Sequence, residues 1–223
     1  MKALLYKEFK LAMHPACYAF VALGPLMILN PSYQISFIYV LFCYPILFLG
    51  ANKGQQSNDL LYSTLLPVRK KDIVLARILT VVILQAAFLL IMSALYPLAL
   101  SLSKSIPESE TPGIGLEGFV SVVAIAVIGY AIADLIFFPI YYKNGKSIVM
   151  STLLMVLGFM FYLGIFTIVL PDFVLGLGGY KTLLCDSGIG IQFAFLGGAV
   201  LISFLLHVVV YKVSSKRLEK VDF

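Results

Sequence analysis

Residues 78–102 read ILTVVILQAAFLLIMSALYPLALSL, a stretch of 25 residues without one charged side chain. An α-helix rises about 1.5 Å per residue, so this stretch is long enough to cross the roughly 30 Å hydrocarbon core of a bilayer. A segment in hydrocarbon must pair its own backbone groups, and a helix does so within a single segment. The stretch therefore predicts a transmembrane helix.

Five further apolar stretches flank this one and are separated by polar breaks; they cover residues 16–29, 35–51, 116–140, 148–170 and 191–211. The first stretch is the weakest candidate for a span, because its 14 residues extend only about 21 Å as a helix. Its helix must include neighbouring residues, the bilayer must become thinner around it, or it must enter the bilayer only part way. The sequence thus predicts an all-α integral membrane protein with six transmembrane helices, forming one transmembrane domain over residues 1–223.

The composition leaves no room for a soluble enzyme domain. Hydrophobic residues make up 61% of the 223 residues and charged residues only 12%, whereas soluble proteins contain about 25% charged residues. The three cysteines include no C-x-x-C pair, so neither a zinc site nor a redox motif is supported. No H-E-x-x-H or G-x-S-x-G motif is present. We therefore predict no catalytic residue, no metal ligand and no cofactor bound by this chain.

The positions of lysine and arginine predict the orientation, because positive residues are retained on the cytoplasmic side of a membrane. With the N-terminus inside, 14 of the 16 basic residues fall in inner segments, and only Lys104 and Lys181 fall in outer loops. An even number of spans then places the basic C-terminus inside as well. The same distribution explains the net charge of +5 by membrane topology, so we predict no nucleic-acid partner.

Residues 1–14 precede the first predicted span and form an amphipathic pattern. Phe9 lies on an apolar helical stripe, whereas Lys7 and Lys10 lie on a basic one. We expect a short helix in the inner interface, with its apolar face in the acyl boundary and its lysines toward anionic headgroups. Pro15 suits the first turn of a new helix and marks an elbow before the first span. A solvated, frayed tail is the alternative.

The longest inner connection lies between the second and third predicted spans, and we predict a short helix in it over residues 58–66. Ser57 or Asn58 can cap its start, Asp59 suits its positive end, and Pro67 stops it about two turns later. Its leucines form an apolar face that a solvated loop would not need. This face either docks into a partner or folds back onto the bilayer surface.

Asp134 is the one acid that lies clearly within a predicted span. Because an unpaired charge in hydrocarbon is costly, Asp134 could face a translocation path, pair with Arg77 or Lys143, or be protonated. A structural pairing near the inner interface is an equal alternative to a role with substrate. Gln85 and His207 are the other polar candidates within spans, and helix–helix hydrogen bonds are expected for both.

Aromatic side chains are numerous, with 13 tyrosines and 17 phenylalanines. Tyr130, Phe161 and Tyr162, together with Asp134, are the candidates for the lining of a translocation path; core packing or an interfacial aromatic belt are the alternatives for each ring. Small residues that would let neighbouring helices approach closely are Gly129, Gly158, Gly164, Gly197 and Gly198.

The elbow, the six spans and residues 59–77, which read DLLYSTLLPVRKKDIVLAR, resemble the membrane subunits of type-2 ABC exporters. The leucine-proline pair, the basic cluster, Asp-Ile-Val and then Ala-Arg are similar to the segment that those permeases place between their coupling helix and third span. The small size and the lack of a large outer domain are most similar to bacterial peptide-export permeases, such as those of the phenol-soluble modulin exporter.

The resemblance implies a permease of an ABC exporter in the bacterial plasma membrane, which moves an amphipathic or hydrophobic substrate, for example a peptide, out of the cell. It implies two separate ATPase subunits that bind ATP and Mg, and a second permease subunit that is identical or closely homologous. The coupling-helix residues would be Asn58, Asp59, Leu61, Tyr62, Leu65 and Leu66. The alternative is a secondary transporter that uses Asp134 as an intramembrane proton or ion site.

Overall fold

The computed structural model describes residues 2–13, 15–25, 38, 40–41, 43, 68–103, 119–144, 148–165 and 189–220. None of these residues forms a β-strand. The helices, in chain order, are α1 (Lys2–Lys7), a π-helical turn (Glu8–Ala12), α2 (Ala16–Val21), α3 (Lys70–Ser103), α4 (Phe119–Asn144), α5 (Ile148–Gly164) and α6 (Ile189–Glu219).

Three of the described helices, α3, α4 and α6, are long and apolar enough to cross a membrane, and α5 is a shorter apolar helix. These four helices coincide with the third to sixth predicted spans. Helix α3 begins eight residues before its predicted span, and α6 continues eight residues beyond its own. The apolar pattern ends where lysines and arginines begin, but those residues are good helix formers, so the helices continue past it.

The N-terminal segment breaks where an elbow was predicted. The π-helical turn ends at Met13, which has an extended backbone with φ −76° and ψ 125°. Pro15 is the N-cap residue of α2, directly before the first helical position rather than inside the first turn. Helix α2 is the start of the first predicted span, and most of the second predicted span lies outside the described residues. The interfacial location of α1 stays a prediction.

Helix α4 is the centre of the described bundle and packs along α6 and α5. Gly129 allows the close approach of α5, because a Cβ there would lie 2.8 Å from Cε2 of Phe159 and 3.0 Å from Cε1 of Tyr162. Gly158 is likewise closely packed, against the side chain of Ile136. The other glycines expected at helix contacts have no atom within 4 Å of such a Cβ: Gly164, Gly197 and Gly198.

A proline lies inside each of two long helices, Pro97 in α3 and Pro139 in α4. A proline lacks the backbone N–H and clashes with the preceding turn, so it leaves backbone groups that a membrane helix must satisfy in another way. In α4 the carbonyl group that Pro139 leaves without its helical donor is that of residue 135. The carbonyl oxygen of Pro139 itself accepts a hydrogen bond from Nη1 of Arg217 on α6, and this contact ties the C-terminal part of α4 to α6.

The outward faces of α5 and α6 are apolar. On α5, Leu157 and Phe161 are exposed, and on α6, Leu201 and Phe204 are exposed. Lipid tails are as apolar as leucine, so such faces need no protein partner in a bilayer. The exposed rows are what a membrane helix presents on the side away from its neighbours.

Two buried thiols connect the start of α2 to the region around residue 43. Neither Cys17 nor Cys43 forms a disulfide, and each Sγ atom lies near the other residue's carbonyl oxygen, at 3.9 Å for Sγ of Cys17 and 3.7 Å for Sγ of Cys43. Both side chains are almost fully buried. Free buried cysteines behave as small hydrophobic residues with a weak S–H donor.

Candidate functional site

The three polar residues that were singled out within the spans meet at one place. Gln85 on α3, Asp134 on α4 and His207 on α6 form a cluster in the bundle, which we call the mid-span cluster. Gln85 donates from Nε2 to Oδ2 of Asp134 over 3.3 Å, and Nε2 of His207 lies 3.0 Å from the same oxygen. The cluster therefore joins the three helices that are long enough to cross a membrane.

Asp134 is the most enclosed member of the mid-span cluster, with a fully buried side chain. A buried carboxyl group must be paired and hydrogen-bonded, since an isolated charge in an apolar medium is strongly unfavourable. Pairing with Arg77 or Lys143 was among the predictions, but the partners found are Gln85 and His207. The helix–helix hydrogen bonds predicted for those two side chains are confirmed.

The second ring nitrogen of His207 is held by its own helix. Nδ1 lies 2.7 Å from the carbonyl oxygen of Ser203 and 3.4 Å from its hydroxyl oxygen. A histidine that binds through one nitrogen while the other is anchored has a fixed ring orientation. The position of Nε2 opposite Asp134 is thus set by the backbone of α6.

The aromatic candidates for the path are divided between a buried and an exposed location. Tyr130 and Tyr162 belong to the buried core cluster, and Tyr162 donates a hydrogen bond to the carbonyl oxygen of Ile125 over 2.9 Å. Phe161 instead projects from α5 and is 72% exposed. The structure brings Tyr162 to the packing surface of α4, near Gly129, and leaves Phe161 exposed on α5.

A second buried polar cluster lies at the end of the bundle that is predicted to be cytoplasmic, and we call it the inner-end cluster. It consists of Glu8, Arg77 and Tyr141, all nearly buried. Nε of Arg77 lies 3.6 Å from Oε1 of Glu8, within ion-pair range, and Nη1 of Arg77 donates to the Tyr141 hydroxyl over 3.2 Å. The cluster links the N-terminal segment to α3 and α4.

Sequence reasoning had not assigned Glu8 a role. The signal was present, because Glu8 is the one acid among the first 58 residues and stands between Lys7 and Lys10. Glu8 lies on neither the apolar nor the basic stripe that was predicted for this segment. The π-helical turn at Glu8–Ala12 changes the angular spacing along this segment, so the stripes drawn from an α-helical period no longer hold there.

The predicted elbow residues behave differently from one another. Lys7 lies 3.9 Å from Oε1 of Glu8 and so adds a cation to the inner-end cluster. Phe9 packs against the apolar core. Lys10 is exposed, and its Nζ donates to the Tyr6 hydroxyl over 2.6 Å and sits 5.1 Å from the centre of that ring.

The predicted coupling residues, Asn58, Asp59, Leu61, Tyr62, Leu65 and Leu66, lie outside the described residues. The described chain resumes at residue 68, and α3 begins two residues later. Among the described residues, no group of three or more histidine, cysteine or acidic side chains is placed to hold a metal ion.

The comparison with known families supplies one match. A family model described as "ABC-2 family transporter protein" matches residues 3–218, which is nearly the whole chain. No curated protein and no solved structure matches the sequence.

Proposed function

The chain belongs to the ABC-2 family of transporter proteins, and on that premise we propose that it is the permease of an ATP-driven exporter. Membership makes the chain a membrane component of an ABC transporter rather than a catalytic subunit, and it implies an ABC ATPase as partner. We propose that the substrate is amphipathic or hydrophobic, for example a peptide, and that it leaves a bacterial cell through the plasma membrane.

The observation that carries this proposal is the family match over residues 3–218, together with three helices of membrane-crossing length. The charge distribution and the apolar stretches support six spans with both termini in the cytoplasm. A second permease subunit, identical or closely homologous, would complete the path. Two ATPase subunits would bind ATP and Mg, for which this chain has no motif.

We propose that the conformational change that ATP drives in the ATPase is transmitted to the permease through the predicted helix at residues 58–66. That helix is followed, after Pro67, by the start of α3 at Lys70. Seven residues further on, Arg77 is buried and joins α3 to Glu8 and Tyr141. A displacement of the coupling helix would therefore reach both the elbow and α4 through one side chain. This connection supports the proposed route without depending on the outer loops.

The apolar faces of α5 and α6 support a hydrophobic or amphipathic substrate. Their exposed side chains include Phe161 on α5 and Phe193 and Phe204 on α6. Burial of apolar surface contributes roughly 25 cal/mol per Å², so such faces suit an apolar ligand as well as lipid. In this proposal the path lies where these faces meet the second permease subunit.

Co-purification and one substitution test the proposal. We expect the chain to retain its neighbouring ATPase during purification in mild detergent, and Leu61→Asp to abolish that complex and peptide export, because a charge would enter an apolar contact. The matched control is Leu175→Asp, the same change in a predicted outer loop, which should leave both intact. Full export by the Leu61→Asp variant, with the ATPase still bound, would contradict the coupling-helix assignment.

A secondary transporter is the second candidate, and the mid-span cluster is the observation that favours it. Such a transporter needs ionisable groups near the midplane, and Asp134 with His207 provides two within the predicted spans, between the span centres and the predicted inner ends. Secondary transporters also commonly contain internal repeats, and none is evident in this sequence. The two candidates differ in the energy source of transport, which can be measured directly.

A further inference from the structure

The protonation of His207 can be deduced from its two contacts. Nδ1 lies 2.7 Å from the carbonyl oxygen of Ser203. A carbonyl oxygen only accepts hydrogen bonds, so Nδ1 must carry a proton. The Ser203 hydroxyl, at 3.4 Å from the same nitrogen, is the more distant neighbour and does not change this assignment.

The second contact then requires one further proton. Nε2 of His207 and Oδ2 of Asp134 are 3.0 Å apart, a hydrogen-bond distance. Two lone pairs at that distance would repel each other, so one proton lies between the atoms, either on the nitrogen or on the oxygen. In both arrangements the pair is electrically neutral in total, as imidazolium with carboxylate or as imidazole with carboxylic acid. Neutrality is what an apolar interior favours.

Only one member of the pair is accessible from outside the bundle. The Asp134 side chain is 0% exposed, whereas the His207 side chain is 19% exposed. A ligand therefore cannot reach the carboxyl group without moving a helix. Gln85, on the third helix, donates to the carboxyl oxygen and exchanges no proton itself.

Of the residues in α3, α4, α5 and α6, His207 is the one histidine. The titratable side chains nearest to Gln85, Asp134 and His207 along their own helices are Arg77, Tyr130 and Tyr211, and α5 contributes Tyr162. Arginine stays protonated and tyrosine stays neutral near neutral pH. Arg77 lies eight residues, or about 12 Å along the helix, from Gln85. None of these groups takes up or releases a proton in the range where histidine does.

We propose that Asp134 and His207 form a proton-binding site that holds one shared proton between Nε2 of His207 and Oδ2 of Asp134. A second proton would remove the carboxylate partner of the imidazolium. Loss of the shared proton would leave the lone pair of Nε2 of His207 facing the Asp134 carboxylate, and the two would repel each other. Either change weakens the contact between α4 and α6, so the packing of α6 depends on the protonation of this site. The proposal does not depend on how transport is powered.

Nitrogen NMR of the full chain in lipid bilayers tests the proposal, because the sequence contains only two histidines. A His14→Gln background labelled with ¹⁵N-histidine leaves His207 as the single histidine signal. We expect Nδ1 to be protonated near neutral pH, with the pair intact. An unprotonated Nδ1 would overturn the proposal, and this part needs no substitution in the cluster.

The shared proton is tested by adding Asp134→Asn to the same background. Two sites that share a proton titrate together and shift each other by more than about one pH unit. We therefore expect the titration midpoint of His207 to move by at least about that much in Asp134→Asn. Glu8→Gln, which removes the other buried acid, is the matched control and should leave the midpoint unchanged. A His207 midpoint that is the same in Asp134→Asn as in the parent chain would contradict the proposal.

Discussion

Glu8 and Asp134 are two buried acids that the protein accommodates in different ways. Glu8 is paired with two cations, Arg77 at 3.6 Å and Lys7 at 3.9 Å. Asp134 contacts an amide and an imidazole, those of Gln85 and His207. The guanidinium is always charged, whereas the imidazole can change its charge near neutral pH. The inner-end cluster is therefore suited to hold helices together, and the mid-span cluster is suited to change its protonation with pH.

The largest effect is expected from Arg77→Leu, which breaks the inner-end cluster. The substitution leaves Glu8 buried without its guanidinium partner and removes the hydrogen bond to Tyr141. Breaking a buried ion pair from one side costs roughly 3–5 kcal/mol. Thermal unfolding of the purified protein in detergent should show a large decrease in midpoint.

The control for Arg77→Leu is Arg69→Leu, on the same connection. Arg69 is exposed and pairs with Asp72 over 3.2 Å one turn away. Exposed pairs of this kind contribute about 0–1 kcal/mol, so the control should unfold close to the parent temperature. Equal decreases for the two variants would show that burial of the ion pair does not decide its contribution.

A smaller effect is expected from Gly129→Ala, which changes the packing beside the mid-span cluster without altering its chemistry. The added methyl group would meet the buried rings of Phe159 and Tyr162. Overpacking of this kind costs about 1–3 kcal/mol. Gly197→Ala is the control, because nothing lies within 4 Å of a Cβ there, and its unfolding midpoint should not decrease. Equal midpoints for Gly129→Ala and the parent would mean that α5 can withdraw freely from α4.

The smallest effect on stability is expected from Asp134→Asn. The amide keeps the shape of the carboxyl group. Because Gln85 and His207 both contact Oδ2, the amide places there either its oxygen, which still accepts from Gln85, or its NH₂ group, which can donate to Nε2 of a neutral His207, and one of the two contacts is lost. We expect a loss of about 1 kcal/mol, the size of an altered neutral hydrogen bond. In contrast, Asp134→Leu should lower the free energy of unfolding further, since it leaves Gln85 and His207 without the carboxyl group that they contact. If both variants lost as much as Arg77→Leu, the mid-span acid would have the same structural role as Glu8.

The membrane-length helices could be predicted because a bilayer imposes a minimum length on an apolar stretch, and residues 78–102 meet it without ambiguity. Which face of α3, α4 or α6 turns inward could not be predicted. These helices are apolar nearly all round, so periodicity indicates no buried side. Gln85, Asp134 and His207 were each identified as polar residues within spans, but their convergence depends on helix rotation and on which helices are neighbours.

The pairing of Glu8 with Arg77 could not be predicted from the sequence for a related reason. The two residues are 69 positions apart, and no local pattern connects them. In the sequence, Arg77 appeared as the end of the motif at residues 59–77 and as a candidate partner of Asp134. What distinguishes it from Arg69, the first residue of the basic cluster, is burial, which the neighbouring sequence does not reveal.

The energy source of transport tests the account most directly. Inverted membrane vesicles that contain the chain and its ATPase would be supplied with a fluorescent amphipathic peptide, with and without ATP and with and without a protonophore. We expect accumulation of the peptide inside the vesicles that requires ATP and continues when the proton gradient is collapsed. Vesicles with the Leu61→Asp variant should accumulate none. Accumulation that continues without ATP and stops with the protonophore would contradict the account and establish proton-driven transport instead.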